Sequence, residues 1–281
     1  MTKPLSILAA ISIAFCALTS CEDDTVPSVD EYEEETSGNV GFGGSCGNNG
    51  QTTPDSKVKV GIFGDSISTF KDCMCNADYG HWYPCANPAD AGKAVDKVEE
   101  TWWYRLINEY MVDAELDVNS SWEGTKVISH TRKGIRTGSY IAAGFIDRCK
   151  DFVDPDYIFI HGGTNDKNQS TPLGTFDYDK AISALDEYSF RPAYIKVIKT
   201  LQSRYKGVKI VIIIGDMLNG TEYGNSIKAI ADHFSIPCVD FRPDYPLEKD
   251  AGSHPNSPAF QKMAEKIART CKDVIPTIYS E

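Results

Sequence analysis

A serine directly after a predicted strand is the first candidate for chemistry in this sequence. The apolar residues Val58–Phe63 predict a buried β-strand, and Gly64-Asp65-Ser66-Ile67-Ser68 follows at once. Open α/β folds place their chemistry at the carboxyl edge of the sheet. A serine hydroxyl at that edge is a candidate nucleophile, although at neutral pH it needs an adjacent base. The alternative interpretation is that Ser66 only caps the helix that follows.

Two later segments also carry polar side chains beside predicted elements. Gly162-Gly163-Thr164-Asn165-Asp166 follows a second buried strand, and His254-Pro255-Asn256 precedes a helix near the end of the chain. The proline after His254 can begin that helix, which leaves the imidazole at its amino end. An imidazole there is a candidate general base. Asn165, taken alone, fits an ordinary turn equally well.

Together these segments resemble, in order, the sequence blocks of the SGNH (GDSL-type) hydrolase family. The block between the serine and asparagine segments is Asn119-Ser120-Ser121-Trp122-Glu123-Gly124. The resemblance covers most of residues 57–274, and it depends on the order of the four blocks rather than on any one of them. It implies a serine ester hydrolase that works through an acyl-enzyme intermediate, with no cofactor and no metal.

The resemblance also implies a role for each block. Ser66 is the expected nucleophile and His254 the expected base. The expected oxyanion hole consists of the backbone amides of Ser66 and Gly124 and the side-chain amide of Asn165, which are donors aimed at the developing negative charge. A glycine at position 124 lets the backbone approach a substrate closely, with a simple turn glycine as the alternative.

The acid of the expected triad departs from the family pattern. The family places it three residues before the histidine, where this sequence has Ala251. Asp250, four residues before His254, is the first candidate, because a loop one residue longer could still bring its carboxylate to the imidazole. The alternatives stay open, namely Asp240, Asp244, Glu248 and a backbone carbonyl in a Ser-His dyad.

Strand and helix patterns alternate along the rest of the chain. Strands are predicted at Val58–Phe63, Leu116–Asn119, Tyr157–Ile160, Val208–Ile214 and Cys238–Phe241. Helices are predicted at Trp102–Tyr110, Tyr140–Cys149, Tyr178–Tyr205 with a kink or break at Pro192, Ser226–Phe234 and Ser257–Cys271. This alternation predicts an α/β three-layer sandwich around a mostly parallel sheet of about five strands, similar to the flavodoxin-like arrangement.

Fold and family do not fix the substrate. Trp82, Tyr83 and Trp122 can either stack on sugar rings or pack in the core, and we carry the stacking hypothesis forward. The working hypothesis is removal of acetyl or other short acyl groups from carbohydrate. The alternatives are a lysophospholipase or thioesterase that acts on lipids, and a surface lipoprotein that binds glycan without catalysis.

The first 56 residues predict export and a tether. Residues 1–20 have a positive start and a short apolar run, as in a signal peptide, and Leu18-Thr19-Ser20-Cys21 resembles a bacterial lipobox. That resemblance implies a lipid anchor at Cys21, on the outer membrane or cell surface. Residues 21–56 are acidic and poor in large apolar residues, which predicts a flexible tether before a hydrolase domain at 57–281. Ser45 matches a nucleophile-elbow pattern without the strand and helix that would confirm it.

Charge and cysteine content restrict the binding partners, disulfides and metals that can be expected. The formal net charge of −12 argues against nucleic acid and anionic membrane surfaces. An exported chain meets an oxidising environment, so Cys85 is expected to pair with Cys73 or Cys75. Zinc at these cysteines is the less favoured alternative, because their spacing is not that of the usual ligand pair.

Overall fold

The computed structural model describes residues 57–84, 93–250 and 254–280. The predicted signal peptide, tether and lipid anchor, Ser45 and the pairing of Cys85 lie outside these residues and stay predictions. Within them, Cys73 is disulfide-bonded, whereas Cys75 is a free thiol.

A parallel sheet lies at the centre of the fold. The strands, in chain order, are β1 Val58–Gly64, β2 Ala114–Ser121, β3 Thr131–Lys133, β4 Tyr140–Ala142, β5 Tyr157–His161, β6 Lys209–Ile214 and β7 Cys238–Asp240. Five of them pair in the order β2-β1-β5-β6-β7, with every ladder parallel. The connection direction reverses between β1 and β5, and such a switch point is where open α/β sheets bind ligands. The remaining two, β3 and β4, form a separate antiparallel hairpin.

Helices cover both faces of this sheet. They are α1 Trp102–Arg105, which continues as a π-helix over Leu106–Tyr110, α2 Phe145–Arg148, α3 Thr164–Asn168, α4 Phe190–Arg204, α5 Glu222–His233 and α6 Ser257–Thr270. Along β5, Phe159 packs in one hydrophobic core with α1 and α6, whereas Ile158 and Ile160 pack in the other with α4 and α5. Alternate side chains of a buried strand face opposite layers. The predicted three-layer α/β fold is therefore confirmed.

The helix predicted at Tyr140–Cys149 is wrong over its first half. Residues 140–142 form β4, which pairs with β3, and the N–H of Ala143 extends that pairing to the carbonyl of His130 at 2.8 Å. Only Phe145–Arg148 is helical. Pairing with a strand outside the predicted window overrides the local apolar pattern.

The helix predicted at Tyr178–Tyr205 is too long at its start. Residues 178–189 contain only a 3₁₀ turn at Ile182–Ala184, and α4 begins at Phe190. Pro192 therefore lies in the first turn of the helix, where a missing N–H costs no intrahelical bond, and it neither kinks nor breaks the helix.

The described residues contain neither a candidate membrane span nor a candidate metal cluster. No helix there is long and apolar enough to serve as a membrane span. Over the same ranges, no three His, Cys, Asp or Glu side chains are grouped so as to hold a metal ion.

Candidate active site

Ser66 begins a short 3₁₀ turn immediately after β1, at the switch point of the sheet. The carboxylate of Asp65 caps this turn, because its Oδ1 accepts the N–H of Ile67 at 3.1 Å. Burial raises the pKa of Asp65 to about 7, and the bond from Ile67 opposes that rise. The Ser66 side chain is thus held by a buried turn, and the residue is only 7% exposed.

The His254 imidazole lies directly against this serine. Its Nε2 is 2.7 Å from the Ser66 Oγ, although 188 residues separate the two along the chain. Burial lowers the pKa of His254 to about 4, against the opposing charge of Asp250. The imidazole is therefore neutral at pH 7 and can accept the hydroxyl proton, which a nucleophilic serine requires.

Trp82 holds both His254 and Asp250. Its ring stacks on the imidazole, with centroids 3.8 Å apart and planes at 15°. Its Nε1 donates to Asp250 Oδ2 at 3.1 Å, and its backbone N–H donates to Thr69 Oγ1 at 2.9 Å. One tryptophan thus connects the serine turn, through its backbone, with the candidate base and the candidate acid, through its indole.

The Asp250 carboxylate also contacts the backbone of the histidine loop. Its Oδ1 accepts the N–H of His254 at 3.3 Å, while the N–H of Asp250 donates to the His254 carbonyl at 2.8 Å. Just before it, Lys249 forms an ion pair of 2.9 Å with Asp216, which is buried at the end of β6. These contacts tie the loop to the sheet edge.

The other candidate acids are engaged elsewhere. Each is bound by a cation: Asp240 by Arg242, Asp244 by Lys266 and Glu248 by Lys93. Of the four carboxylates, Asp250 is the one with described contacts to His254. Its role as triad acid stays a prediction, and this geometry favours it.

The turn at Gly124 supplies the second wall of the site. Gly124 has a φ of +67°, a conformation that disfavours other residues. The N–H of Trp122 donates to the Gly64 carbonyl at 3.3 Å, and Asn165 Nδ2 donates to the Thr125 carbonyl at 3.0 Å. Within the described part of the chain, the N–H groups of Ser66 and Gly124 donate to no acceptor. The three predicted oxyanion donors therefore lie on elements that are bonded to one another.

A buried arginine forms hydrogen bonds with both the end of β1 and the turn that follows Gly124. Arg148 is 1% exposed, and its guanidinium donates to Gly64 O at 3.3 Å and to Thr125 Oγ1 at 3.1 Å. It also donates to the carbonyl of Ser120 and, at 3.2 Å, to the Ser120 hydroxyl. Burial lowers its pKa. The end of β1 and the turn of Gly124 thus bind the same guanidinium.

Asp166 performs a similar task on the other side of that turn. It is 0% exposed, and its Oδ2 accepts the N–H of Val127 at 2.9 Å. Burial raises its pKa to about 7. The carboxylate orders the chain that follows Gly124 and Thr125.

Two predicted substrate-binding aromatics are not available to a substrate. Tyr83 is 0% exposed and donates its hydroxyl to the Pro255 carbonyl at 2.7 Å. Trp122 is 1% exposed and stacks on Tyr79, with ring centroids 4.6 Å apart. The stacking prediction does not fit these two residues, because core packing covers their rings. Trp82 remains partly exposed, but its described partner is His254.

Sequence reasoning did not identify Arg148 or the contacts of Trp82. Arg148 ends a four-residue helix, and nothing in its neighbours marks it as buried. Trp82 meets Asp250 across 168 residues. Asp147, Lys150 and Asp151 lie close to Arg148 in the sequence, so the arginine resembles one member of an ordinary exposed charged cluster.

The sequence and the fold are both similar to those of known proteins. The sequence model for "GDSL-like Lipase/Acylhydrolase" matches residues 58–271. A structure described as a GDSL-like lipase from Bacteroides uniformis is 31% identical, covers 78% of this chain and 97% of that one, and superposes with a TM-score of 0.65. A second, from Bacteroides ovatus, is 28% identical, with 78% and 100% coverage and the same TM-score of 0.65.

A third structure, from Lactobacillus plantarum, is similar in fold alone. It is 16% identical, covers 79% of this chain and 99% of that one, and has a TM-score of 0.54. A comparison with curated proteins finds no match.

Proposed function

The chain belongs to the GDSL-like lipase/acylhydrolase family and is a hydrolase of ester bonds, and from this premise we propose that it is a serine esterase that removes short acyl groups, acetyl above all, from carbohydrate. The observation that carries the proposal is the 2.7 Å contact between Ser66 Oγ and His254 Nε2 at the sheet's switch point. A glycan-binding protein without catalysis has no need of a neutral imidazole against a serine hydroxyl.

In the proposed reaction, Ser66 Oγ attacks the ester carbonyl carbon while its proton passes to His254 Nε2. The amides of Ser66 and Gly124 and the Asn165 side chain stabilise the oxyanion. The tetrahedral intermediate collapses, and the alcohol leaves with the proton from His254. Water then attacks the acyl-enzyme with His254 as base, which releases the carboxylic acid and restores Ser66.

Asp250 is the proposed acid of this triad. Its charge favours the protonated form of His254, and an imidazolium must form transiently in each step. Its described bonds to the His254 N–H and to Trp82 Nε1 hold the carboxylate beside the base.

The surroundings of the site support a polar substrate. The chain after Gly124 carries the half-buried Lys126 and Arg132, and neither Asp nor Glu lies between Gly124 and Ile146. Hydroxyl-rich and charged groups suit such a wall better than a long acyl chain does, because buried polar groups need partners. This favours a carbohydrate ester over a lysophospholipid or an acyl thioester.

The proposed place of action is the cell surface or outer membrane, through a lipid on Cys21. The support for it is the lipobox-like sequence before that cysteine. Labelled palmitate should be incorporated by the wild-type chain in a bacterial host and not by Cys21→Ala. Equal labelling of both chains would refute the anchor.

The reaction is tested by hydrolysis of p-nitrophenyl esters of increasing acyl length, with Ser66→Ala beside the wild type. We expect the fastest turnover with acetate, a decline with chain length, and loss of at least 10³-fold in the variant, as for removal of a nucleophile. Ser68→Ala is the matched control, because this buried hydroxyl on the same turn accepts from Trp102 rather than from His254.

Either of two results would overturn the proposal. Preference for long acyl chains would make the chain a lipid hydrolase. Failure of a fluorophosphonate probe to label Ser66 in folded protein, together with no turnover, would indicate a binding protein.

A further inference from the structure

The segment that follows the predicted oxyanion turn is basic in an acidic protein. Residues 124–146 contain Lys126, Arg132, Lys133 and Arg136 and no Asp or Glu, whereas the whole chain has 40 acidic residues and a net charge of −12. Most of this segment is the hairpin β3–β4 with its connection. Asp78 and Asp147 accept from backbone N–H groups of this segment, and Asp72 pairs with Arg136, so a positive charge for an anionic ligand has to come from an individual side chain.

Arg132 is the basic residue of this segment whose guanidinium contacts the turn at Gly124. It lies in β3, and its Nη1 donates to the Gly124 carbonyl at 3.1 Å. A Cβ built on Gly124 would lie 2.6 Å from Nη1 and 3.1 Å from Nη2. The flat guanidinium therefore packs against the α-carbon of Gly124, whose N–H is a predicted oxyanion donor.

The Arg132 guanidinium has donors to spare. A guanidinium carries five N–H donors, and one hydrogen bond from Arg132 is present within the described residues. Among those residues it also has no carboxylate within 4.0 Å, whereas Arg136 on the same hairpin pairs with Asp72 at 3.9 Å. Arg132 is half-buried, so part of the residue stays exposed to solvent and to a ligand.

We propose that Arg132 binds a carboxylate of the substrate, so that the preferred substrate is the ester of an acidic sugar such as a uronic acid. The planar fork of arginine matches a carboxylate through two parallel hydrogen bonds. Because the oxyanion and the guanidinium would both contact Gly124, the carboxylate lies on the acylated sugar or on its neighbour. This inference rests on the proposed esterase function and adds the substrate class to it.

The test uses two acetylated methyl glycosides, one of glucuronic acid and one of glucose, which differ only at C6. We expect the wild type to hydrolyse the glucuronide with the higher kcat/KM. Arg132→Gln, which removes the charge and the guanidinium, should reduce the ratio of the two kcat/KM values by about 10- to 100-fold, mainly through KM, as for a lost hydrogen bond between charged groups. Arg132→Lys should give an intermediate ratio, because it keeps the charge without the fork.

Lys133→Gln is the matched control, because it removes the same charge from an exposed neighbour on the same strand. We expect its ratio to stay within about twofold of the wild type, since exposed charges act weakly through solvent. A ratio near one in the wild type, or equal losses in Arg132→Gln and Lys133→Gln, would overturn the inference.

The failure of the inference is distinguishable from the failure of the proposed function. If both glycosides and p-nitrophenyl acetate are hydrolysed through Ser66 but without a preference for the glucuronide, the esterase proposal stands and the carboxylate site does not. If no ester is hydrolysed by folded wild type, both are refuted.

Discussion

Replacement of Trp82 should move the acid limb of the pH–rate profile. The indole covers one face of the His254 imidazole at 3.8 Å, and burial is the largest cause that lowers the pKa of His254 to about 4 from its ordinary 6.5. Trp82→Ala admits water to that face, so the pKa should rise toward 6.5. A cation–π attraction between imidazolium and indole acts in the opposite direction, but at a desolvated site it amounts to about 2 kcal/mol, or about 1.5 pKa units, which is less than the interval from 4 to 6.5.

The size of the effect follows from the fraction of neutral imidazole. With a pKa of about 4, about 97% of His254 is neutral at pH 5.5, whereas at a pKa of 6.5 only about 9% is. Trp82→Ala should therefore cause an additional loss of at most about tenfold in kcat/KM at pH 5.5. No such loss is expected at pH 8, where His254 is neutral in both the wild type and the variant.

The assay is kcat/KM for p-nitrophenyl acetate from pH 4 to pH 8, which reports the pKa of the free enzyme. Trp82→Phe is the matched control, because it keeps a ring over the imidazole and loses only the 3.1 Å bond from Nε1 to Asp250. We expect it to lower kcat/KM by about 2- to 10-fold at every pH, the usual value of one hydrogen bond. An acid limb in Trp82→Ala that stays in place, or that moves down, would refute the reasoning.

Three other perturbations have defined outcomes. Asn165→Ala should lower kcat by about 10²–10³-fold with the melting temperature kept, whereas Asn108→Ala, at an exposed position, should lower neither; equal rates would remove Asn165 from the oxyanion hole. Arg148→Met should lower the free energy of unfolding in urea by about 2–4 kcal/mol, since it leaves buried carbonyls unpaired; an unchanged midpoint would contradict this. Burial lowers the pKa of His161 to about 4. The neutral imidazole therefore contributes up to about 3 kcal/mol to the free energy of unfolding above pH 6.5, and this contribution is lost as the pH falls through 4. His161→Gln should flatten that dependence, and an equally steep loss in the variant would show that other groups cause it.

The sheet and the serine–histidine pair were predictable from the sequence for a physical reason. Strands of a doubly covered sheet, such as Tyr157–His161, are apolar on both faces and stand out as continuous runs. The same topology brings the residues after β1 and β5 to one edge, so Ser66 and Asn165 could be assigned to one site without knowledge of any contact.

What the sequence did not reveal depends on contacts between distant segments. The hairpin over 131–142 is held by pairing that no window of local residues contains. The burial of Tyr83 and Trp122, and of Arg148, likewise depends on neighbours far along the chain. The sequence alone does not distinguish an aromatic residue whose ring is buried near a site from one whose ring is exposed to a ligand.

The 188-residue separation between Ser66 and His254 has a consequence for the timing of activity. The proposed nucleophile follows the first strand, whereas the proposed base lies on a loop before the last helix, and that helix packs into the core through Phe260 and Ile267. Contacts of such long range form late in folding. If Ser66 and His254 act as proposed, activity is expected only after α6 has packed, and a chain that lacks the segment from His254 onward would have the serine without its base.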